Sequence, residues 1–166
     1  NEGKLTLGAK TISGDVDIAA TGEGSVVNLP LFTNFNGTDV YSPSFIKAEN
    51  NGTVTAKKLK TLKEVDLSAD HSKLNLLALN SFSGKSDTVI QVRNEGKLTL
   101  GAKTISGDVD ITPIGKDSIV DLPKLKRFLG KDTFEPSSII TKNGCQVEAN
   151  KLTTVTNVDP FRYYYY

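Results

Sequence analysis

The chain of 166 residues has no methionine, no tryptophan, one cysteine and one histidine. A single cysteine, Cys145, excludes an internal disulfide and a zinc site built from several thiolates. His71 and Cys145 lie far apart in the sequence, and nothing in the pattern pairs them as base and nucleophile. Neither sign of charge is in excess, with 20 Lys plus Arg against 19 Asp plus Glu. That balance argues against a nucleic-acid groove or an anionic membrane as partner. No apolar run approaches the roughly 18 residues of a spanning helix. We therefore expect no nucleic-acid partner and no membrane insertion.

What the chain has in abundance is itself. NEGKLTLGAKTISGDVDI, residues 1–18, returns letter for letter at 94–111. The match continues without a gap at the same offset of 93: Leu29-Pro30 meets Leu122-Pro123, Phe35 meets Phe128, Pro43-Ser44 meets Pro136-Ser137, and Val65-Asp66 meets Val158-Asp159. The residues retained are mostly apolar, Gly, Pro or Asp, the types that fix cores and turns. We read a repeat unit at 1–93 and a partial second unit at 94–160. Residues 161–166, FRYYYY, break the pattern and are set apart as a cap or tag.

A shorter period lies inside the unit. Similar openings stand at Gly3, Gly24, Gly52 and Ser72, and recur at Gly96, Asp117 and Cys145. The mean interval is about 23 residues, too short for a strand with a full crossover helix, which needs roughly 30. Each opening leads into an apolar frame with a two-residue step and then three-residue steps. It reads Val27, Leu29, Phe32, Phe35; then Val54, Ala56, Leu59, Leu62; then Leu74, Leu76, Leu79, Phe82. The second unit gives Val120, Leu122, Leu125, Phe128 and Val147, Ala149, Leu152, Val155. The 1–18 block departs in the middle, with Leu5, Leu7 and Ile12. A second alternating run follows, as in Val16-Asp17-Ile18 and Val65-Asp66-Leu67. Alternation marks half-buried strands, and the three-residue steps place side chains inward at short bends. The expectation is an all-β fold: a single-stranded, right-handed parallel β-helix of about seven coils, one continuous solenoid over 1–166. A leucine-rich repeat and one immunoglobulin-like sandwich per 93 residues are the rival readings.

Runs such as SFIKAENNGTVTAKKLKTLKEVDLSAD and EGSVVNLPLFTNFNG resemble the right-handed β-helix repeats of very large secreted and surface proteins of aquatic bacteria. The resemblance covers the chain to about Asp159 and carries over no site residue. It implies an extracellular or cell-surface location. The chain does not begin with methionine, and residue 1 falls inside a block that recurs in mid-chain. A piece of a longer array is therefore expected.

Candidate chemistry is sparse. Asp15, Asp17, Asp66, Asp108, Asp110 and Asp159 lie at the alternating run, and on stacked coils Asp17, Asp66, Asp110 and Asp159 would share an outward column. Some parallel β-helices cleave polysaccharides with aspartate clusters, through calcium or as acid and base. Here the column is interrupted at Val89, and solvated surface aspartates are the preferred reading. Lys57, Lys58, Lys60 and Lys63 could form an anion or acidic-glycan stripe; a solvated face that discourages edge pairing is preferred. Thr53-Val54-Thr55 and Thr154-Val155-Thr156 suggest an ice-binding ladder but fall at different frame positions. Asn36-Gly-Thr and Asn51-Gly-Thr match the glycosylation acceptor, though Asn-Gly turns explain them equally. Longer loops are expected near 36–44 and 130–137. No catalytic, cofactor or metal residues are assigned, and no enzyme is expected. The function expected is a structural or adhesive spacer or assembly module with end-to-end or lateral self-association. A carbohydrate-binding or polysaccharide-cleaving helix, its partner a surface glycan, is the alternative, and ice binding is a more distant third.

Overall fold

The computed structural model describes residues 2–38, 43–85, 87–131 and 136–159. The tips of both expected loops and the 161–166 tail lie outside these. The chain passes through three strands per turn, 21 in all among the described residues. The first turns give β1 (Lys4–Thr6), β2 (Thr11–Ser13), β3 (Asp17–Thr21), β4 (Val26–Asn28), β5 (Asn34–Asn36) and β6 (Ser44–Glu49). Next come β7 (Thr53–Thr55), β8 (Thr61–Lys63), β9 (Val65–Asp70), β10 (Lys73–Leu76), β11 (Ser81–Ser83) and β12 (Thr88–Arg93). The copied block opens β13 (Lys97–Leu100), β14 (Thr104–Gly107) and β15 (Val109–Ile114). The last passes are β16 (Ile119–Asp121), β17 (Arg127–Gly130), β18 (Ser137–Ile139), β19 (Gln146–Glu148), β20 (Thr154–Thr156) and β21 (Val158–Asp159).

Every third strand stacks on its predecessor, giving three seven-stranded parallel sheets and no helix among the described residues. Four turns carry the chain the 93 residues from Lys4 to Lys97, so a turn averages about 23. The fold is an all-β parallel solenoid of about six turns. At about 4.8 Å per strand, the stack is roughly 30 Å long.

Register explains the apolar frame. Leu5, Val27 and Val54 stack in one column, as do Leu74, Leu98, Val120 and Val147. Ile12, Phe35, Leu62, Phe82, Ile105, Phe128 and Val155 form the column of the second sheet. The three-residue step is a turn between these sheets, closed by i to i−3 bonds. Phe32 N–H donates to Leu29, Leu59 to Ala56, Leu79 to Leu76 and Leu125 to Leu122. Both ends of each such turn point inward, and all eight side chains are buried. The copied block departs because its corner is one residue shorter, with three residues between β13 and β14 where four separate β10 from β11. Ala102 then fills the place of the inward leucine.

The corner between the second and third sheets is tighter still. One residue in the left-handed region turns the chain: Glu64 at φ 53, Gly107 at φ 86 and Asn157 at φ 50. The interior is a single apolar cluster running from Ile18 to Phe128.

Candidate functional site

The two ends of the stack are its most unusual surfaces. On the first turn Leu5 is 49% exposed and Leu7 37%, although both point to the core side of the coil. Their copies in mid-stack, Leu98 and Leu100, are fully buried. The sequence around them is identical, so only the neighbouring turn differs. Residues 94–111 have a turn on each side, whereas β1, β2 and β3 pair on one side only. At the other end Val155 is 53% exposed, and Val147, Ala149, Leu152 and Val158 are half-buried against the core. Each end therefore offers an apolar column set and strand edges unpaired among the described residues.

The aspartate column exists and is more dilute than the sequence suggests. Register places Asp17 against Phe45, Phe45 against Asp66, Val89 against Asp110, Asp110 against Ser138 and Ser138 against Asp159. Aspartates thus recur on alternate turns, about 9.6 Å apart at 4.8 Å per strand. Among the described residues no three His, Cys, Asp or Glu side chains gather as a metal site would require. Asp66 accepts a bond from the Val89 N–H at 2.8 Å. Burial pushes its carboxyl up to about 6; the Val89 bond opposes the shift and the charge of Asp87 adds to it. Asp110 is buried and accepts a hydrogen bond from the Ser138 hydroxyl at 2.6 Å.

His71 and Cys145 are not brought together. His71 precedes β10 and Cys145 precedes β19, three strands on in the same sheet, or roughly 14 Å. His71 Nδ1 lies 3.3 Å from the Asn94 carbonyl. The Cys145 thiol donates to the Pro113 carbonyl at 3.1 Å. The two Thr-Val-Thr runs sit on different sheets, β7 in the first and β20 in the second. Of the lysine run, Lys63 pairs with Glu64 at 3.3 Å. Asn51 occupies a left-handed turn position at φ 65.

Two features escaped the sequence reading. Ser44 and Ser137 point inward in the column otherwise held by Val16, Val65, Thr88, Val109 and Val158. Each hydroxyl stitches the corner of the turn before it. Ser44 Oγ donates to the Gly14 carbonyl at 2.8 Å and accepts from Val16 N–H at 3.0 Å. Ser137 repeats this with Gly107 at 2.7 Å and Val109 at 3.1 Å. The Pro-Ser pair kept between the units was the available signal. The second feature is the outer face of the second sheet, where Thr11, Asn34, Thr61, Ser81, Thr104, Arg127 and Thr154 form one polar column. Period-two counting along single strands did not show it, because the column runs across strands.

No protein-family model, no curated protein and no solved structure matches the chain. Within the described residues no helix is long and apolar enough to cross a membrane. The class that the architecture defines is the parallel β-solenoid.

Proposed function

We propose that the chain is a rigid structural module that extends by end-to-end assembly, holding distance and presenting its loops outside the cell or on its surface. The observation that supports this is the copied block in two environments, buried in mid-stack and bare at the first turn. Side chains that are core material inside the array are left as surface at its end. Continuing the columns from the last turn of one copy to the first turn of another sets Leu5 on Val147, Leu7 on Ala149, Ile12 on Val155 and Val16 on Val158. Apolar groups then meet apolar groups at each step, and the unpaired edges complete a ladder. Such a contact is head-to-tail, so it makes open rods, not closed dimers.

Light scattering from micromolar to millimolar protein tests the reading. Mass is expected to rise with concentration. Leu5→Lys and Val155→Lys, each blocking one end, are expected to remain monomeric alone and to form dimers when mixed. A wild-type chain that stays monomeric throughout overturns it.

A further inference from the structure

In one place the stack is open. In the first sheet, the N–H at the head of a strand donates to the residue preceding the strand below: Val26 to Gly3, Thr53 to Ser25, Lys97 to Ser72, Ile119 to Gly96, Gln146 to Ser118. Among the described residues the counterpart from Lys73 to Gly52 is not made. β7 and β10 pair only through Thr55 and Asn75, whereas β10 and β13 pair at four positions. The cause is chain length. Two residues, His71 and Ser72, link β9 to β10, where three link β6 to β7 and three link β12 to β13. The short link draws the head of β10 off β7.

Two grooves meet over this opening, of about 390 and 510 Å³, and Thr53 and Lys73 line both. In the smaller one Ser72 is 6% exposed, and its hydroxyl has no partner. Ser118, its counterpart, donates to the Ile114 carbonyl at 2.9 Å. The larger one is lined by Val54, Thr55, Asn75 and Leu77, with Lys57 and Lys124 beside Lys73. Lys124 is held there by a bond of 3.0 Å to the Leu77 carbonyl. It reaches two turns down the stack past Gly101, which has no side chain in the way. Lys73 stands directly opposite Lys97 in the ladder, a placement that is repulsive unless an anion answers it. No ion pair among the described residues involves Lys57, Lys73, Lys97 or Lys124.

We propose that this opening binds an acidic saccharide, a sugar chain carrying carboxylate or sulfate groups. Lys57, Lys73 and Lys124 take the anionic groups, Leu77 meets an apolar ring face, and Thr53, Thr55 and Asn75 meet the hydroxyls. The three lysines come from three different turns, and the groove they line, about 510 Å³, has the volume of a small-molecule site and is larger than a single ion needs. Neither groove is lined by Phe, Tyr or Trp, and His71 in the smaller one is the one ring among the described lining residues, so the row of stacking platforms that single-stranded nucleic acid uses is missing. The site shares no residue with the terminal edges, so it stands or falls separately from the assembly reading.

Calorimetric titration of the full chain tests it with four probes: oligogalacturonate, a sulfated oligosaccharide, an uncharged oligosaccharide of equal length, and oligothymidylate. At least one acidic saccharide is expected to bind, more weakly as salt rises, and the uncharged one is not. Which acidic probe binds identifies the anion. The combined variant Lys57→Gln, Lys73→Gln, Lys124→Gln is expected to lose affinity by about tenfold or more. Lys4→Gln with Lys10→Gln, away from the opening, is expected to change nothing. All are checked for wild-type melting and wild-type self-association. Binding of neither acidic probe, full affinity in the triple variant, or equal binding of oligothymidylate overturns the proposal.

Discussion

At the scale of single residues, the buried polar groups carry more weight than their number suggests. Ser137 answers two backbone groups at once, the Gly107 carbonyl and the Val109 N–H. Removing the hydroxyl leaves both without that partner, and an unanswered buried polar group costs about 1–3 kcal/mol. Ser137→Ala is therefore expected to destabilise the chain by that order in urea unfolding, whereas Ser137→Thr retains the hydroxyl and loses less. Asp66 gives a pH signature. Its carboxyl is raised from 3.8 to about 6 in the folded chain, chiefly by burial. Between those values the folded state holds a proton that the unfolded state has released, so stability falls as pH rises through the window. Asp66→Asn keeps an oxygen for the Val89 N–H and removes the titration. The melting-temperature difference, variant minus wild type, is expected to grow in the variant's favour from pH 4 to pH 7 and to level off at pH well below 3.8, where Asp66 is protonated in both states. A difference that is flat with pH would refute the assignment to Asp66.

At the scale of the element, the duplicated block is a controlled experiment made by the sequence itself. Gly14 and Gly107 are copies of one residue, both with positive φ, 100° and 86°. A Cβ on Gly14 meets nothing within 4 Å, whereas one on Gly107 runs into the Gly84 carbonyl oxygen. The pairs Gly3 with Gly96 and Gly8 with Gly101 behave the same way: open at the first turn, closed by a backbone carbonyl in mid-stack. Gly14→Ala should then cost only the left-handed backbone penalty, about 1–2 kcal/mol. Gly107→Ala adds a clash with backbone that cannot move without parting two turns, and is expected to cost clearly more in the same denaturation assay. Such pairs also mark what the sequence made legible. The frame Val54, Ala56, Leu59, Leu62 was readable because burial on one face of a strand and at both ends of a tight turn leaves a periodic trace. The third sheet was visible only as an alternating run after each frame. The inward serines were not readable as core, since a hydroxyl after proline looks like a loop until its two backbone partners are known. Nor was the opening at Lys73, which follows from a link one residue shorter than its neighbours and shows only once the turns are laid in register.

At the scale of the whole molecule, every strand pairing of a turn is made with the turn before or after it. Among the described residues β1 to β3 touch one neighbouring turn, and β10 to β12 touch two. A solenoid of this kind behaves as a one-dimensional array, in which repeat and interface terms add along the axis. Damage should therefore be felt according to position. Phe82 is fully buried between Leu62 and Ile105, and Phe82→Ala removes a side chain whose loss costs about 3–5 kcal/mol in a core. Ile12, in the same column, has a neighbour on one side only. Native-state hydrogen exchange is expected to show Phe82→Ala lowering protection on both sides of the lesion, from β8 to β14. Ile12→Ala is expected to loosen β1 to β3 and leave β11 unchanged. If assembly proceeds end to end, the Ile12 effect shrinks at high protein concentration, because an incoming turn buries the same column, and the Phe82 effect does not. Concentration-independent fraying at Ile12 would mean that nothing covers that edge.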